Sequence, residues 1–229
     1  MVDPSPSSSP AGSSEIDPNR RPIKTRSTRW AQALASTFAK LGVSPNQVSL
    51  FSVVCALVGA GLFLIEAFGS GSPWLLVGAA VCIQLRLLAN MLDGLIAVEG
   101  GHRTKLGELY NEIPDRIADV LFLASAGYAS QHAAWGVVLG WSASVLAVGT
   151  AYIRALGARR GAAQDFCGPM AKQHRMAVLS AGCLISIVEH FTVRTNHSLP
   201  ITCGLIAAGS LLTCWTRTRA LASRLRERG

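Results

Sequence analysis

The chain has 229 residues, of which 50% are hydrophobic and 15% are charged, and its formal net charge is +8. Soluble domains carry about 25% charged residues, so this composition, with a mean hydropathy of +0.35, excludes an ordinary soluble domain. The sequence has no basic patch interleaved with aromatic residues, which a nucleic-acid-binding surface would need. No nucleic-acid partner is therefore expected.

The N-terminal segment MVDPSPSSSPAGSSEIDPNRRP is rich in serine and proline. It has too few apolar side chains to form a core, so residues 1–22 are predicted to be a disordered tail. Residues 23–44 are predicted to form a short amphipathic helix that lies in the membrane interface, with basic residues nearby for anionic headgroups. Its apolar face, at helical spacing, consists of Trp30, Leu34, Phe38 and Leu41. Packing of this helix on the rest of the protein is a compatible alternative.

Six apolar segments follow, each close to the roughly 20 residues that cross a bilayer as a helix. They lie at about 47–68, 73–98, 107–130, 133–157, 174–191 and 198–215. The sequence therefore predicts an all-α integral membrane protein, in which residues 45–216 form a domain of six transmembrane helices. Residues 217–229 are predicted to be a basic cytoplasmic tail.

Lysine and arginine residues predict the orientation in the membrane. Most of them lie before the first span, after the second and fourth spans, and at the C-terminus. The loops on the other side hold only Arg194. Because these residues concentrate on the cytoplasmic side, both termini are predicted to face the cytoplasm from a multi-pass position in the inner membrane.

Carboxylates and amides recur along one face of the second and third predicted spans. On the second span, Asn90 and Asp93 share a face with Ala97. The third span carries a polar stripe at strict four-residue spacing, made of Gly107, Asn111, Asp115 and Asp119. A short loop joins the two spans, so they are predicted to be antiparallel neighbours whose polar faces meet near the cytoplasmic surface.

Two facing carboxylates, Asp93 and Asp115, would repel each other in a region of low dielectric constant. A divalent cation would remove this repulsion, and oxygen ligands favour Mg²⁺, Mn²⁺ or Ca²⁺ over zinc. The alternative is a structural polar seam, in which an aspartate of the third span pairs with Arg86 or Arg116. Charged groups inside a membrane are costly and mark functional sites by default, which favours the metal site.

The spacing of these residues resembles the signature of the CDP-alcohol phosphotransferases, D-x2-D-G-x2-A-R-x8-G-x3-D-x3-D. This chain reads Asn90-x2-Asp93-Gly94-x2-Ala97-Val98-x8-Gly107-x3-Asn111-x3-Asp115. The resemblance implies a membrane enzyme of phospholipid biosynthesis, commonly a homodimer. It would transfer a phosphatidyl or other substituted phosphate group from a CDP-alcohol to an acceptor alcohol and release CMP. The expected donor is CDP-diacylglycerol.

The resemblance also implies roles for the motif residues. The metal ligands, for Mg²⁺ or Mn²⁺, would be Asn90, Asp93, Asn111 and Asp115. The CDP group would contact Asp93, Gly94, Ala97 and Gly107. Asp115 would bind metal or take the proton of the acceptor hydroxyl as a general base.

The chain departs from the signature at Asn90, Asn111 and Val98, where the family has aspartate, aspartate and arginine. Asparagine offers a carbonyl oxygen but no charge. The acids that could compensate are Glu108, Glu112 and Asp119. The departures leave three outcomes open: activity with shifted ligands, activity with one metal or weaker metal binding, or a relative without catalysis that binds a CDP-lipid or serves as a membrane partner subunit.

A basic loop follows the fourth span on the same predicted side as the aspartates. Its segment AKQHRM resembles a variant of the family's G-K-x-K-T element. The predicted ligands for phosphate groups of the acceptor are Arg154, Lys172, His174 and Arg175. They favour a small, phosphorylated acceptor alcohol. A cation- or proton-coupled transporter is a weaker alternative, because the acids lie at one edge of the membrane rather than at its midplane.

Overall fold

A computed structural model of the chain describes residues 28–69, 71–99, 107–130, 135–160 and 167–227. Within these ranges the chain forms only helices and their connections. The helices are α1 Arg29–Lys40, α2 Pro45–Phe68, α3 Trp74–Glu99, α4 Gly107–Ala129, α5 Gly136–Arg159, α6 Lys172–Thr192 and α7 Ser198–Arg226. The predicted all-α fold is confirmed. The predicted disordered tail, residues 1–22, lies outside the described residues.

Five helices, α2, α3, α5, α6 and α7, are long and apolar enough to cross a bilayer. This composition confirms a helical integral membrane protein. Helix α4 occupies the third predicted span but is not among the five, because its first half carries several charged side chains. The sixth span therefore remains a prediction.

Helix α1 lies within the predicted range 23–44 and packs against α3. Leu34 and Phe38 pack against a buried cluster that includes Ala31 and Leu92, whereas Trp30 and Leu41 are exposed. Part of the apolar stripe thus contacts the bundle, as the alternative prediction allowed. The interfacial location of α1 remains a prediction, and residues 23–27 lie outside the described residues.

The start of α2 is fixed by its sequence. Ser44 caps the helix by accepting a hydrogen bond from the Gln47 amide at 3.3 Å, and the Gln47 side chain accepts one from the Ser44 amide at 2.9 Å. Pro45 follows at the first helical position, where its missing N–H costs nothing. This capping box holds the N-terminal turns of α2, which include Ser49, at one end of the bundle.

Helix α7 continues to Arg226, beyond the predicted end of the last span at 215 and into the predicted tail 217–229. Arg217 is buried on this extension. It donates hydrogen bonds to the Cys167 carbonyl at 2.9 Å and the Thr150 carbonyl at 2.8 Å. The helix therefore extends past the predicted span, because these contacts to α5 and to the segment before α6 stabilise helical turns that hydropathy alone does not indicate; where the span itself ends remains a prediction.

Helices α2, α4 and α6 bring their N-terminal ends to the same end of the bundle as the C-terminal ends of α3, α5 and α7. The contacts Ser49–Asp93, Arg154–Glu112 and Arg175–Asp119 join these ends directly. The apolar core lies beyond them, around buried residues such as Phe63 and Phe122. One end of an apolar bundle therefore holds the polar cluster.

Helices α4 and α5 approach closely at two glycines. A Cβ atom added to Gly140 would lie 2.5 Å from the Gly127 Cα atom, whereas one added to Gly61 on α2 would have no neighbour within 4 Å. Small residues at such crossings allow membrane helices to pack backbone against backbone. The crossing fixes α4, and with it the aspartates near its start, against α5.

We expect Gly140→Ala to lower the free energy of unfolding by about 1–3 kcal/mol, because the added methyl group meets backbone that cannot move aside. Gly61→Ala is the matched control and should leave stability unchanged or raise it, since alanine favours helix by about 1 kcal/mol over glycine. Thermal unfolding in detergent measures both. Equal stability of the two variants would contradict this description of the crossing.

Candidate active site

Asp93 lies near the C-terminal end of α3 and is only 4% exposed. Its Oδ2 atom accepts a hydrogen bond of 2.9 Å from the Ser49 hydroxyl on α2. Its Oδ1 atom is buried and has no hydrogen-bond partner among the described residues. Because a buried, ionised oxygen needs a partner, this atom is the strongest candidate among the described residues for a ligand-binding oxygen.

Asp115 on α4 is surrounded by hydrogen-bond donors. Arg86 Nη2, on α3, lies 3.0 Å from its Oδ1 atom and 3.1 Å from its carbonyl oxygen. The Asn90 side-chain amide also donates to Oδ1, and the Lys172 ammonium group contacts Oδ2. Both carboxylate oxygens are therefore occupied. The predicted meeting of the polar faces of α3 and α4 is observed, and so is the pairing of Asp115 with Arg86.

Asp119, one turn beyond Asp115, is fully buried in an ion network. Arg175 Nη2 donates to its Oδ2 atom at 2.9 Å, and Arg86 Nη2 lies 3.5 Å from its Oδ1 atom. Arg175 is only 1% exposed and also donates to Thr150 Oγ1 at 3.2 Å and the Met170 carbonyl at 3.1 Å. This arrangement positions helices rather than presenting Asp119 or Arg175 to a small ligand.

The other predicted residues lie nearer to solvent. Glu112 pairs with Arg116 at 2.6 Å and also with Arg154, so Arg154 lies beside an acid of α4 as Lys172 does. His174 is exposed, with its Nδ1 atom 2.9 Å from the Pro169 carbonyl oxygen. The structure therefore brings Arg154 and Lys172 to the acids and directs His174 to its own loop.

Several predicted residues are described only in part. Gly94 follows Asp93 on α3 and is half-buried. The backbones of the remaining predicted positions belong to α3 or α4, but their side chains lie outside the description; these positions are Ala97, Gly107, Glu108 and Asn111. Their proposed roles therefore remain predictions from the sequence.

The model of the family described as CDP-alcohol phosphatidyltransferase matches residues 42–215 of the chain. The chain belongs to this family. It is therefore an enzyme of the class that transfers a phosphatidyl group from a CDP-alcohol, and the activity class inferred from the spaced motif is confirmed. The match includes every helix from α2 to α6 and every predicted metal ligand.

Known proteins of several bacteria are similar to the chain over most of its length. An uncharacterized protein of Aquifex aeolicus is 28% identical over 199 residues, 86% of this chain and 91% of the other. The phosphatidylinositol phosphate synthase of Mycolicibacterium smegmatis is 24% identical over 203 residues, 84% of each chain. The inner membrane protein YnbA of Escherichia coli is 23% identical and covers 76% of this chain and 80% of that one.

Solved structures share the fold. The crystal structure of Mycobacterium tuberculosis phosphatidylinositol phosphate synthase with CDP-DAG bound has a TM-score of 0.70, with 22% identity over 85% of this chain and 94% of the other. The same enzyme in complex with manganese and citrate has a TM-score of 0.69, with 23% identity over 83% and 88%. At these identities the likeness establishes the helical architecture.

The side chains that the structure describes fit one divalent ion better than two. In the described ranges no three His, Cys, Asp or Glu side chains are placed to hold a metal. Asp93 Oδ1 is the buried motif carboxylate oxygen that lacks a partner there, whereas both oxygens of Asp115 contact donors. Mg²⁺ commonly binds through one or two carboxylates, several waters and substrate phosphates, so one such ion would need no protein carboxylate besides Asp93.

Arg86 is the central residue that the sequence analysis placed only in the alternative interpretation. It is fully buried and contacts both Asp115 and Asp119. The sequence does indicate that Arg86 faces the site, because Arg86, Asn90 and Asp93 fall at i, i+4 and i+7 on one face of an apolar helix. The contact of Ser49 with Asp93 had no comparable signal, since it joins two helices through tertiary packing.

Proposed function

We propose that this chain transfers the phosphatidyl group of CDP-diacylglycerol to an acceptor alcohol and releases CMP, in phospholipid biosynthesis. The observation that carries the proposal is the unpartnered Asp93 oxygen beside the Asp115–Lys172 pair, at one end of an apolar bundle. Family membership supports the reaction, and the CDP-DAG complex of a structural relative supports this donor.

On the donor side, Asp93 would bind a divalent ion, Mg²⁺ or Mn²⁺, together with water and the donor diphosphate. Such an ion neutralises the diphosphate and stabilises charge on the leaving phosphate oxygen. Ser49 fixes the Asp93 carboxylate by its hydrogen bond. Gly94 and Gly107, with the small Ala97, would let the nucleotide approach the backbone closely, and Asn111 would offer a neutral oxygen from α4.

On the acceptor side, the hydroxyl oxygen would attack the phosphorus that carries the diacylglycerol group. The new P–O bond forms as the bond to CMP breaks, and CMP leaves with the electron pair. Asp115 is the proposed general base for the hydroxyl proton. Arg86 and Lys172 stabilise its ionised form, which is the form that can accept a proton.

The acceptor is proposed to be a phosphorylated alcohol such as glycerol 3-phosphate or an inositol phosphate. Lys172 and Arg154 present positive charge next to the acids of α4, and such groups suit a phosphate. The phosphatidylinositol phosphate synthases among the relatives support this choice. His174 remains a predicted ligand, while Arg175 is assigned to hold Asp119.

A CMP-release assay tests this function with purified protein, CDP-diacylglycerol, Mg²⁺ or Mn²⁺, and a panel of acceptors. We expect release to require both a divalent ion and an acceptor, with phosphorylated polyols faster than their unphosphorylated counterparts. Protein that binds CDP-diacylglycerol in calorimetry but releases no CMP with any acceptor would overturn the proposal and favour the non-catalytic alternative.

We further propose six spans with both termini and the active site on the cytoplasmic side of the inner membrane. Cys167 can report this orientation, because it is exposed at the site end of the bundle, while the other cysteines are buried or half-buried. A membrane-impermeant maleimide should label Cys167 in inverted vesicles but not in intact cells, and Cys167→Ser should lose the label. Labelling in intact cells would contradict the orientation.

The predicted homodimer is retained as a proposal. Large apolar side chains such as Phe51, Leu57 and Val145 are exposed on the outer faces of the bundle, where lipid or a second copy would cover them. Light scattering on protein in detergent, corrected for the bound detergent, determines the mass. A mass of one chain would contradict the dimer.

A further inference from the structure

We propose that this site holds a single divalent ion, at Asp93, and that Lys172 and Arg86 supply permanently the positive charge at Asp115 that a second ion would otherwise provide. The inference rests on the proposed function and specifies its metal requirement. It assigns to Arg86 and Lys172 a role that the spaced motif does not contain.

Donors on three side chains already occupy both carboxylate oxygens of Asp115. Arg86 and Asn90 donate to Oδ1, and Lys172 contacts Oδ2. A metal ion at either oxygen would have to displace a buried donor. If an ion displaced Arg86 from Asp115, the fully buried guanidinium group would keep only Asp119 as a counter-charge. Separating a buried ion pair in this way is strongly unfavourable.

Asn90 acts as a hydrogen-bond donor to Asp115. Its side-chain nitrogen, not its oxygen, is directed at Asp115. An amide can donate such a hydrogen bond, whereas an ionised aspartate at the same position can only accept one. Asparagine at position 90 therefore complements the Asp115 carboxylate directly, and an aspartate there would repel it unless a metal ion lay between them.

The described side chains of the polar cluster already carry an excess of positive charge. They comprise four carboxylates and five cations: Asp93, Glu112, Asp115 and Asp119, with Arg86, Arg116, Arg154, Lys172 and Arg175. One divalent ion would be balanced by the two negative charges of a doubly substituted donor diphosphate. A second ion would add to the excess positive charge among fixed cations, in an apolar bundle where such charge is costly.

Lys172 is suited to this role by its position at the first turn of α6. Its side chain is 19% exposed and bends toward Asp115 on α4. Arg86 approaches the same carboxylate from α3 and is inaccessible. Arg86 is thus the fixed counter-charge, and Lys172 is the cation at the open side, where an acceptor would enter.

Counting bound Mn²⁺ tests the inference on the wild-type protein. Free Mn²⁺ is followed by electron paramagnetic resonance during titration of the purified protein, with and without CDP-diacylglycerol, and binding to lipid and detergent alone is subtracted. We expect one Mn²⁺ per chain, lost in Asp93→Asn, and no spectrum of a coupled manganese pair. Two ions per wild-type chain, or none, would overturn the inference.

A designed variant tests the role of the cation. The triple substitution Asn90→Asp, Asn111→Asp and Lys172→Met restores carboxylates and removes the ammonium group, so it should bind a second Mn²⁺ and show pair coupling. Lys172→Met alone should still bind one ion. A second ion in that single variant would mean that the site can bind two ions with asparagine at position 90 and that Lys172 merely blocks it. That result would contradict the proposal that Asn90 donates to Asp115 instead of binding metal.

CMP release in the same preparations separates the two proposals. One bound ion without CMP release would defeat the proposed function and leave the metal count standing. Two bound ions with normal CMP release would defeat this inference and leave the function intact.

Discussion

Asp93→Asn is expected to reduce CMP release from CDP-diacylglycerol by about 100- to 1,000-fold, the loss typical when one electrostatic contact to a transition state is removed. The substitution keeps the size of the side chain and a carbonyl oxygen, but it removes the charge that would hold the divalent ion. The Ser49 hydrogen bond can persist, because the asparagine oxygen still accepts it. The expected loss is therefore in chemistry rather than in folding.

Two further variants test whether this loss is specific to the charge of Asp93. Ser49→Ala removes the hydrogen bond that orients Asp93 without changing its charge. We therefore expect the affinity for Mn²⁺ to fall about 10- to 100-fold, with activity recovering at saturating Mn²⁺. Glu227→Gln is the matched control, because Glu227 is an exposed acid at the end of α7 and should leave activity unchanged. Wild-type turnover in Asp93→Asn would remove Asp93 from the site.

Arg86→Met is expected to lower the free energy of unfolding by about 3–5 kcal/mol, the range for removing one partner of a buried ion pair. Methionine can fill much of the volume, but Asp115 and Asp119 would both lose a cation inside the bundle. The reduced compensation of two buried negative charges, rather than a cavity, would cause the loss. The melting temperature in detergent measures it.

The double variant Arg86→Met, Asp119→Asn separates charge from packing. Asparagine at 119 can still accept the Arg175 hydrogen bond and carries no charge, so we expect the double variant to be more stable than Arg86→Met alone. Arg159→Met, at an exposed arginine of α5, should stay within about 0.5 kcal/mol of wild type. A double variant less stable than the single one would contradict an electrostatic origin.

Much of the fold followed from two sequence patterns. Runs of apolar residues predicted α2 to α7 with most helix ends close to those observed, because spanning a bilayer requires a nearly constant helix length. Gly42, with a φ of 74°, and Pro45, at the first position of α2, mark the break between α1 and α2. The end of α7 was not predictable, because its last turns depend on Arg217 reaching two carbonyl oxygens on other segments.

The sequence predicted which helix faces meet at the site, but not which cation contacts which carboxylate. Helical spacing placed Asn90 and Asp93 on one face and Asp115 on the facing one, and their meeting needs only antiparallel neighbours. Spacing does not determine which cation reaches which acid. Arg86 and Lys172 come to Asp115 from two different helices, so their positions depend on the packing of α3 and α6 against α4.

The contacts in the structure change the roles assigned to Asn90 and Asp119. In the sequence, Asn90 is a weakened metal ligand; in the structure, it is a hydrogen-bond donor to Asp115. A neutral donor at position 90 therefore stabilises the Asp115 carboxylate together with Arg86 and Lys172. Asp119 likewise changes from a compensating ligand to the buried partner of Arg175.

The coupling of CMP release to phospholipid formation tests the central claim most directly. Purified protein in liposomes that contain CDP-diacylglycerol is supplied with Mg²⁺ and a phosphorylated polyol, and CMP and new lipid are measured together. We predict one CMP for each phospholipid formed, with neither product in the absence of the acceptor or the ion. Folded protein that yields no phospholipid with any acceptor, or CMP without phospholipid, would contradict a phosphatidyl transfer.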